Sequence, residues 1–243
     1  IPVDSEHFSI WSLIKNHDFR QIDKIYITAS GGPFLNWPIK KIMNATPSKA
    51  LNHPNWSMGK KISIDSATMM NKVFEVIETQ KIFNLPKTKI KILIHDKSYV
   101  HAIVKFNNGI NKILAHDTDM KIPIFNSIYQ NKNKSIVSQD LDIQKLNNLN
   151  LKNIDTKRFP LFKVLKHIPN QNTLFETVVV SANDELVNLF LENKISYSDL
   201  HKKLLSIINL RQFKAFKKKK PLNLSQINTL NNSVRLKIRE LCI

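Results

Sequence analysis

KISIDSATMMNKVFEVIETQKIF, residues Lys61 to Phe83, is the stretch on which the reading of this chain turns. Its first residues alternate polar and apolar as a short strand does, and the rest repeats with the period of a helix. At about 100° per residue, Thr68, Asn71, Lys72, Glu75, Glu78 and Thr79 share one arc, and Met69, Met70, Val73, Phe74, Val76 and Ile77 lie opposite. Ser66 stands where an N-cap would be, so free backbone N–H groups and the positive end of the helix dipole fall beside Ser66, near Asn71 and Lys72. That combination suits a phosphate. Glu75 follows one turn later on the same face, and a divalent cation would reconcile its carboxylate with the anion. The same pattern also fits an ordinary helix with a solvated polar side.

Outward from this stretch, three further runs carry residue types suited to metal, phosphate and loop closure. The chain opens with Asp4-Ser5-Glu6-His7. In an extended segment residues two apart share a face, so Asp4 and Glu6 can turn toward one cation. The run also reads as a solvated loop before a helix capped by Asp4 or Ser5, with Phe8, Ile10, Trp11, Leu13 and Ile14 buried; both can hold at once. Ile22 to Thr28 reads as a strand running into Ala29-Ser30-Gly31-Gly32-Pro33, where glycine permits a ligand to approach closely. A helix is expected around Trp37 to Met43. His53-Pro54-Asn55-Trp56-Ser57-Met58-Gly59 is too irregular for helix or strand. Exposing Trp56 and Met58 is costly unless they cover something, so this loop is either packed down permanently or a lid.

Downstream, Ile90 to Ile94 and His101 to Phe106 read as adjacent strands. His101 suits either a structural role or a substrate contact. Gln130 to about Asp155 is rich in Asn, Lys and Ser and reads as a surface connector. Helical periodicity then covers Phe159 to His167, Leu174 to Glu192, Ser198 to Leu210 and Ser225 to Ile243, with the lysine run Lys214 to Lys220 read as a solvated loop. The expected fold is α+β: a mixed-sheet catalytic domain with flanking helices over 1–129, a connector over 130–154, and a small C-terminal helical domain over 155–243.

The 243 residues, 42% of them hydrophobic, suffice for a full core. No run of about 18 apolar residues exists, so no membrane span is expected. A lone cysteine, Cys242, excludes an internal disulfide and reads as a small packed residue. The net charge of +18 would suit a nucleic-acid surface. The excess is nearly all lysine and is spread along the chain, beside abundant Asn and Ile, as an AT-rich genome produces, and no nucleic acid is expected as a partner. A positive field would still draw in an anionic sugar phosphate.

Taken together, Asp4-Ser5-Glu6-His7, Ser30-Gly31-Gly32-Pro33-Phe34, His53 to Gly59 and Asp65 to Lys72 closely resemble the 1-deoxy-D-xylulose 5-phosphate reductoisomerases of the non-mevalonate isoprenoid pathway. The resemblance is strong from Ile1 to about Tyr129 and patchier beyond. It departs at Ala29, where glycine is usual; at His95-Asp96-Lys97-Ser98, for His-Pro-Gln-Ser; and at Asp117-Thr118 and Lys121 around the Asp-Met-Arg-x-Pro-Ile run.

The resemblance implies an enzyme that converts 1-deoxy-D-xylulose 5-phosphate to 2-C-methyl-D-erythritol 4-phosphate. Asp4, Glu6 and Glu75 would be its catalytic carboxylates, holding Mg²⁺ or Mn²⁺. All-oxygen ligation of that kind suits a hard cation. Ser5, Ser30, His53, Trp56, Met58, Ser66, Asn71, Lys72 and His101 would bind the sugar-phosphate substrate, with Trp56 and Met58 closing over its carbon chain, and Gly59 would touch the cofactor. That cofactor, NADPH, belongs to an N-terminal dinucleotide-binding domain. Glycines at 31, 32, 59 and 109 cannot build a Gly-x-Gly-x-x-Gly turn, so a fragment lacking that domain is expected. A homodimer in the bacterial cytoplasm or a plastid-type organelle is implied as well. The competing reading is a non-catalytic basic protein that binds nucleic acid or a protein partner.

Overall fold

The structure, a computed structural model, describes residues 1–130 and 133–242, so two residues of the expected connector and the last residue of the helix expected over Ser225 to Ile243 fall outside it. In chain order the elements are α1 (Ser5–Ile14), β1 (Ile22–Ala29), α2 (Ile39–Ile42), α3 (Pro47–Leu51), α4 (Lys60–Thr68) and α5 (Met70–Ile82). There follow β2 (Ile90–Ile94), β3 (Val100–Phe106), β4 (Asn111–Ala115), α6 (Lys121–Tyr129), α7 (Ile143–Asn147) and β5 (Lys152–Asn153). Helices α8 (Phe175–Leu191), α9 (Tyr197–Ile207), α10 (Arg211–Lys214) and α11 (Leu224–Cys242) complete the chain. No helix of the described residues is long and apolar enough to cross a membrane.

These elements form two compact units, Ile1–Gly31 with Glu75–Ile154 and Gly32–Phe74 with Asp155–Ile243; the division falls inside α5. The first is α+β. Its mixed sheet runs β4-β3-β1-β2-β5. β1, rich in β-branched residues, lies at the centre, with Ile25 level with Ile90 of parallel β2 and with Val104 of antiparallel β3. The strands expected to be neighbours, β2 and β3, therefore stand on either side of β1. Ile22, Ile25, Ile27, Val100 and Val104 are wholly buried. Burying each such side chain contributes about 1.5–3 kcal/mol. α1 packs on β1, β3 and β4, placing Ile10 and Ile14 in this core.

The second unit is helical and is built around α8, whose Val178, Val179, Ala182, Leu186, Val187 and Leu189 are wholly buried. α11 lies along α8 through a stripe of Leu230, Val234 and Ile238, spaced four residues apart. α9 begins with a capping box between Ser196 and Asp199. Arg158 pins the turn after Gly32, donating to the carbonyls of Phe34 at 2.9 Å and Trp37 at 2.5 Å.

Three local expectations are corrected. Lys61 to Asp65 is helical rather than extended, because α4 buries Ser63, Ile64, Asp65, Ala67 and Thr68 on one side. Ser66 is therefore inside a helix and caps nothing. The helix Trp37 to Met43 contracts to α2, and Lys214 to Lys220 contains the end of α10 and a 3-10 turn at Ala215–Lys218 in place of a loop. Lys217 lays its aliphatic stem on apolar surface, with Nζ 4.7 Å from the Phe175 ring centre.

Candidate functional site

In the α+β unit, Asp4 is the N-cap of α1. One oxygen, Oδ1, accepts from the backbone N–H groups of Glu6 and His7, each at 3.1 Å. This helix-capping role fixes the orientation of the carboxylate. Ser5 occupies the first helical position, buried, with its hydroxyl donating to the Glu6 carboxylate. Glu75 comes from α5, 69 positions after Glu6. Carboxylate oxygens of Asp4, Glu6 and Glu75 all lie within 4.8 Å of one another. Glu6 is 9% and Glu75 3% exposed, whereas the Asp4 side chain is 43% exposed, so the cluster is covered on the glutamate side and open to water at Asp4.

Three carboxylates gathered this closely repel one another unless a cation joins them. Oxygens on one octahedral Mg²⁺ at about 2.0–2.1 Å stand about 2.9 Å apart when cis and about 4.2 Å when trans, so the three carboxylates close on a hard divalent ion by moving inward by about 1–2 Å at most.

Sequence reading quoted His7 without giving it a role, and the structure places it at the hub of this cluster. Its Nδ1 lies 3.1 Å from Asp4 Oδ1 and 3.8 Å from Glu78 Oε2, and its Nε2 3.1 Å from the Glu75 carbonyl oxygen. Burial pulls the imidazole pKa down, but the hydrogen bond and charge of Asp4, aided by the Glu75 carbonyl and Glu78, outweigh it and leave the pKa raised. Helix signals around Asp4 foretold the cap; nothing local links His7 to a carbonyl 68 residues away.

His101 is buried in β3, its ring stacked on His116 with centroids 3.8 Å apart and planes 16° from parallel. His101 Nε2 lies 3.2 Å from the His116 carbonyl oxygen, and His116 Nδ1 lies 2.6 Å from that of Asp117. Burial foremost holds the His116 pKa down. The stack occupies the region where the chain departs from the reductoisomerase motif. Ser30, half-buried, follows β1 directly and precedes Gly31, whose φ of 84° most side chains would resist.

In the helical unit, the turn between α4 and α5 is made by Met69, a 2% exposed residue with φ 68° and ψ 7°. A non-glycine residue stays there because its surroundings hold it. Ser66 precedes this turn and Asn71 and Lys72 follow it. Lys72 is 8% exposed and Thr79 further along α5 is wholly buried, so much of the polar arc is covered, while Glu78 stays exposed. Gly32 is pressed against the turn: a Cβ there would meet the Ser66 carbonyl oxygen at 2.8 Å.

His53 orders its own loop, Nδ1 accepting from the N–H groups of Asn55 at 3.2 Å and Trp56 at 3.0 Å. Its remaining nitrogen is then the donor. Burial first, then the positive charge of Lys72, push the His53 pKa down to about 4, so at neutral pH the imidazole is uncharged. Lys72 and His53 thus lie within electrostatic reach of each other. Trp56 and Met58 are half-buried. Gly59 is the N-cap of α4, and a Cβ there would meet nothing within 4 Å.

Known proteins match both units. Residues 1–83 match the family described as 1-deoxy-D-xylulose 5-phosphate reductoisomerase C-terminal domain, and residues 116–237 match the DXP reductoisomerase C-terminal domain. The 1-deoxy-D-xylulose 5-phosphate reductoisomerase of Pelagibacter ubique (strain HTCC1062) is 59% identical over the whole chain. Among solved structures, a DOX-P reductoisomerase in complex with NADPH, fosmidomycin and magnesium superposes with a TM-score of 0.89 at 32% identity over 98% of the chain. The Zymomonas mobilis enzyme in complex with NADPH gives 0.86 at 31% identity over all of it. The chain spans 63% of the Pelagibacter protein, 62% of the fosmidomycin-bound chain and 61% of the Zymomonas chain. With matches across both units, on sequence and on backbone alike, the chain belongs to the 1-deoxy-D-xylulose 5-phosphate reductoisomerase family.

Proposed function

We propose that this chain is the metal- and sugar-phosphate-binding part of an enzyme that converts 1-deoxy-D-xylulose 5-phosphate to 2-C-methyl-D-erythritol 4-phosphate with NADPH. Residues 1–129 carry the metal and substrate contacts, 130–154 connect, and 155–243 form the C-terminal helical domain. The observation that carries the reading is the meeting of Asp4, Glu6 and Glu75 oxygens within 4.8 Å.

Those three residues hold Mg²⁺ or Mn²⁺. When bound, the ion supplies Lewis-acid stabilisation of the negative charge that develops on substrate oxygens as the carbon skeleton rearranges. NADPH supplies the hydride, with Gly59 at its margin. His7 keeps Asp4 oriented between the helix cap and its own ring. Lys72 supplies the positive charge for the substrate phosphate, while Ser66, Asn71, Ser30 and the neutral His53 supply uncharged donors. Remote binding energy of this kind fixes the reacting end of the sugar. Ser5 and His101 contact the substrate, and Trp56 and Met58 cover its carbon chain and exclude water. The reading extends to a homodimer working in the bacterial cytoplasm or a plastid-type organelle. Sedimentation equilibrium tests the dimer: twice the mass of one chain is the expected result, and the mass of a single chain would contradict it.

Calorimetry tests the site. Mn²⁺ titrated into Glu75→Gln binds at least about tenfold more weakly than into the wild type, a loss that even an outer ligand partner produces. Lys72→Ala weakens binding of 1-deoxy-D-xylulose 5-phosphate and spares the metal. Unchanged Mn²⁺ affinity in Glu75→Gln removes that residue from the ligand set, and equal loss of metal and sugar phosphate in Lys72→Ala removes the phosphate assignment.

A further inference from the structure

Asp65 precedes Ser66 directly and is 1% exposed. A carboxylate that deep is tolerated only when paired and hydrogen-bonded. Its Oδ1 accepts from Asn183 Nδ2 of α8 at 2.7 Å, and its Oδ2 lies 2.7 Å from Lys61 Nζ, one turn earlier in α4. Lys61 Nζ is also 3.1 Å from Asp184 Oδ1, and Asp184 Oδ2 accepts from Arg235 of α11 at 2.8 Å. Charges alternate in sign along this path from α11 to α4.

Beside it runs a second tie between the same two helices. Arg239 donates to Glu185 at 2.6 Å, and the other Glu185 oxygen lies 3.5 Å from Arg235, so Arg239 reaches the path only at second hand, through Glu185. Both arginines therefore fasten α11 to α8, but it is Arg235 that contacts Asp184 directly and so continues through Lys61 to Asp65.

The path ends at Asp65, four residues before the left-handed turn at Met69, a conformation that a non-glycine side chain resists. Asp65 supports it twice. Its carboxylate anchors α4 to α8, and its carbonyl accepts from the Thr68 hydroxyl at 3.2 Å, which in turn accepts from Met70 N–H at 3.4 Å. From the far side, the Tyr197 hydroxyl donates to the Ala67 carbonyl at 2.8 Å.

We propose that Asp65, Asn183 and Asp184 are positioning residues for substrate phosphate, holding the Ser66 to Lys72 segment in its binding geometry, and that Arg235 acts on that segment through them. The proposal rests on reading Ser66, Asn71 and Lys72 as the phosphate site. A strained turn held by buried hydrogen bonds shifts when one is removed, and donors displaced by a fraction of an ångström bind a phosphate less well. The metal carboxylates belong to the other unit and do not share these contacts.

The test titrates 1-deoxy-D-xylulose 5-phosphate calorimetrically into the full chain at saturating Mn²⁺. Asn183→Leu, close in size but without the amide, weakens binding about tenfold, as loss of a hydrogen bond to a charged group does. Arg235→Gln weakens it about threefold, and Arg239→Gln leaves it unchanged. Mn²⁺ affinity stays at the wild-type value in all three. Equal effects of Arg235→Gln and Arg239→Gln overturn the proposal, since they would report only the docking of α11; this pair decides the matter even if Asn183→Leu fails to fold. Wild-type affinity in a folded Asn183→Leu also overturns it. If Lys72→Ala binds the sugar phosphate as well as the wild type, the phosphate reading itself falls and takes this proposal with it.

Discussion

Each unit of this chain gathers a group of carboxylates, and the two groups are built on opposite electrostatic plans. In the helical unit Asp65, Asp184 and Glu185 alternate with Lys61, Arg235 and Arg239 at separations of 2.6 to 3.1 Å. In the α+β unit Asp4, Glu6 and Glu75 bring like charges within 4.8 Å. The first arrangement neutralises itself from within the chain and acts as scaffolding. The second gains most from a small divalent ion, which is what distinguishes a site from a strut.

The difference can be broken from either end. The largest expected effect is on the scaffolding side: Asp65→Ala removes a buried acceptor and strands Asn183, and urea unfolding shows a loss of about 3 kcal/mol. A stability loss under about 1 kcal/mol would mean that the alternating charges contribute little. The like-charge cluster responds to ligand instead. Mn²⁺ at a hundred times its dissociation constant raises unfolding free energy by about 2.7 kcal/mol in the wild type. Glu75→Gln loses most of that gain, and an equal gain in both proteins would place the ion elsewhere.

A smaller effect concerns a buried group that belongs to neither plan. His201 of α9 packs edge-on against Tyr197, and burial pushes its pKa down to about 4. The folded state therefore binds fewer protons than the unfolded chain between pH 4 and 6.5. Stability is fully present above 6.5 and falls as pH drops through that window. His201→Phe makes the acid limb shallower by about 2 kcal/mol or less across it. An unaltered limb would show that other histidines carry the acid sensitivity.

The two plans were not equally legible in the sequence. Asp4 and Glu6 announce themselves, since a helix-capping pattern and a pair of carboxylates coincide in four residues. β1, β2 and β3 follow from β-branched runs, and α8 and α11 from helical spacing. The scaffolding cluster left no such trace: Asp65 and Asn183 are 118 positions apart, and their hydrogen bond exists only because α4 packs on α8. The same packing explains why KISID, whose alternation suits a strand, is helical, and why the chain turns at Met69 with no glycine or asparagine to mark it. β5 has two residues and is defined by its pairing with β2, so a polar stretch read as connector contains a strand. His116, which stacks on His101, stands next to the Asp117-Thr118 departure, and nothing local pairs it with a ring fifteen positions away.

The central claim is that Asp4, Glu6 and Glu75 share one hard cation. Crystals of the chain soaked in Mn²⁺, with anomalous scattering recorded at the manganese edge, test it most directly. A single strong peak within about 2.5 Å of a carboxylate oxygen from each of the three residues is the predicted result. A peak bound elsewhere, or none at a Mn²⁺ concentration that saturates the calorimetric isotherm, would contradict it.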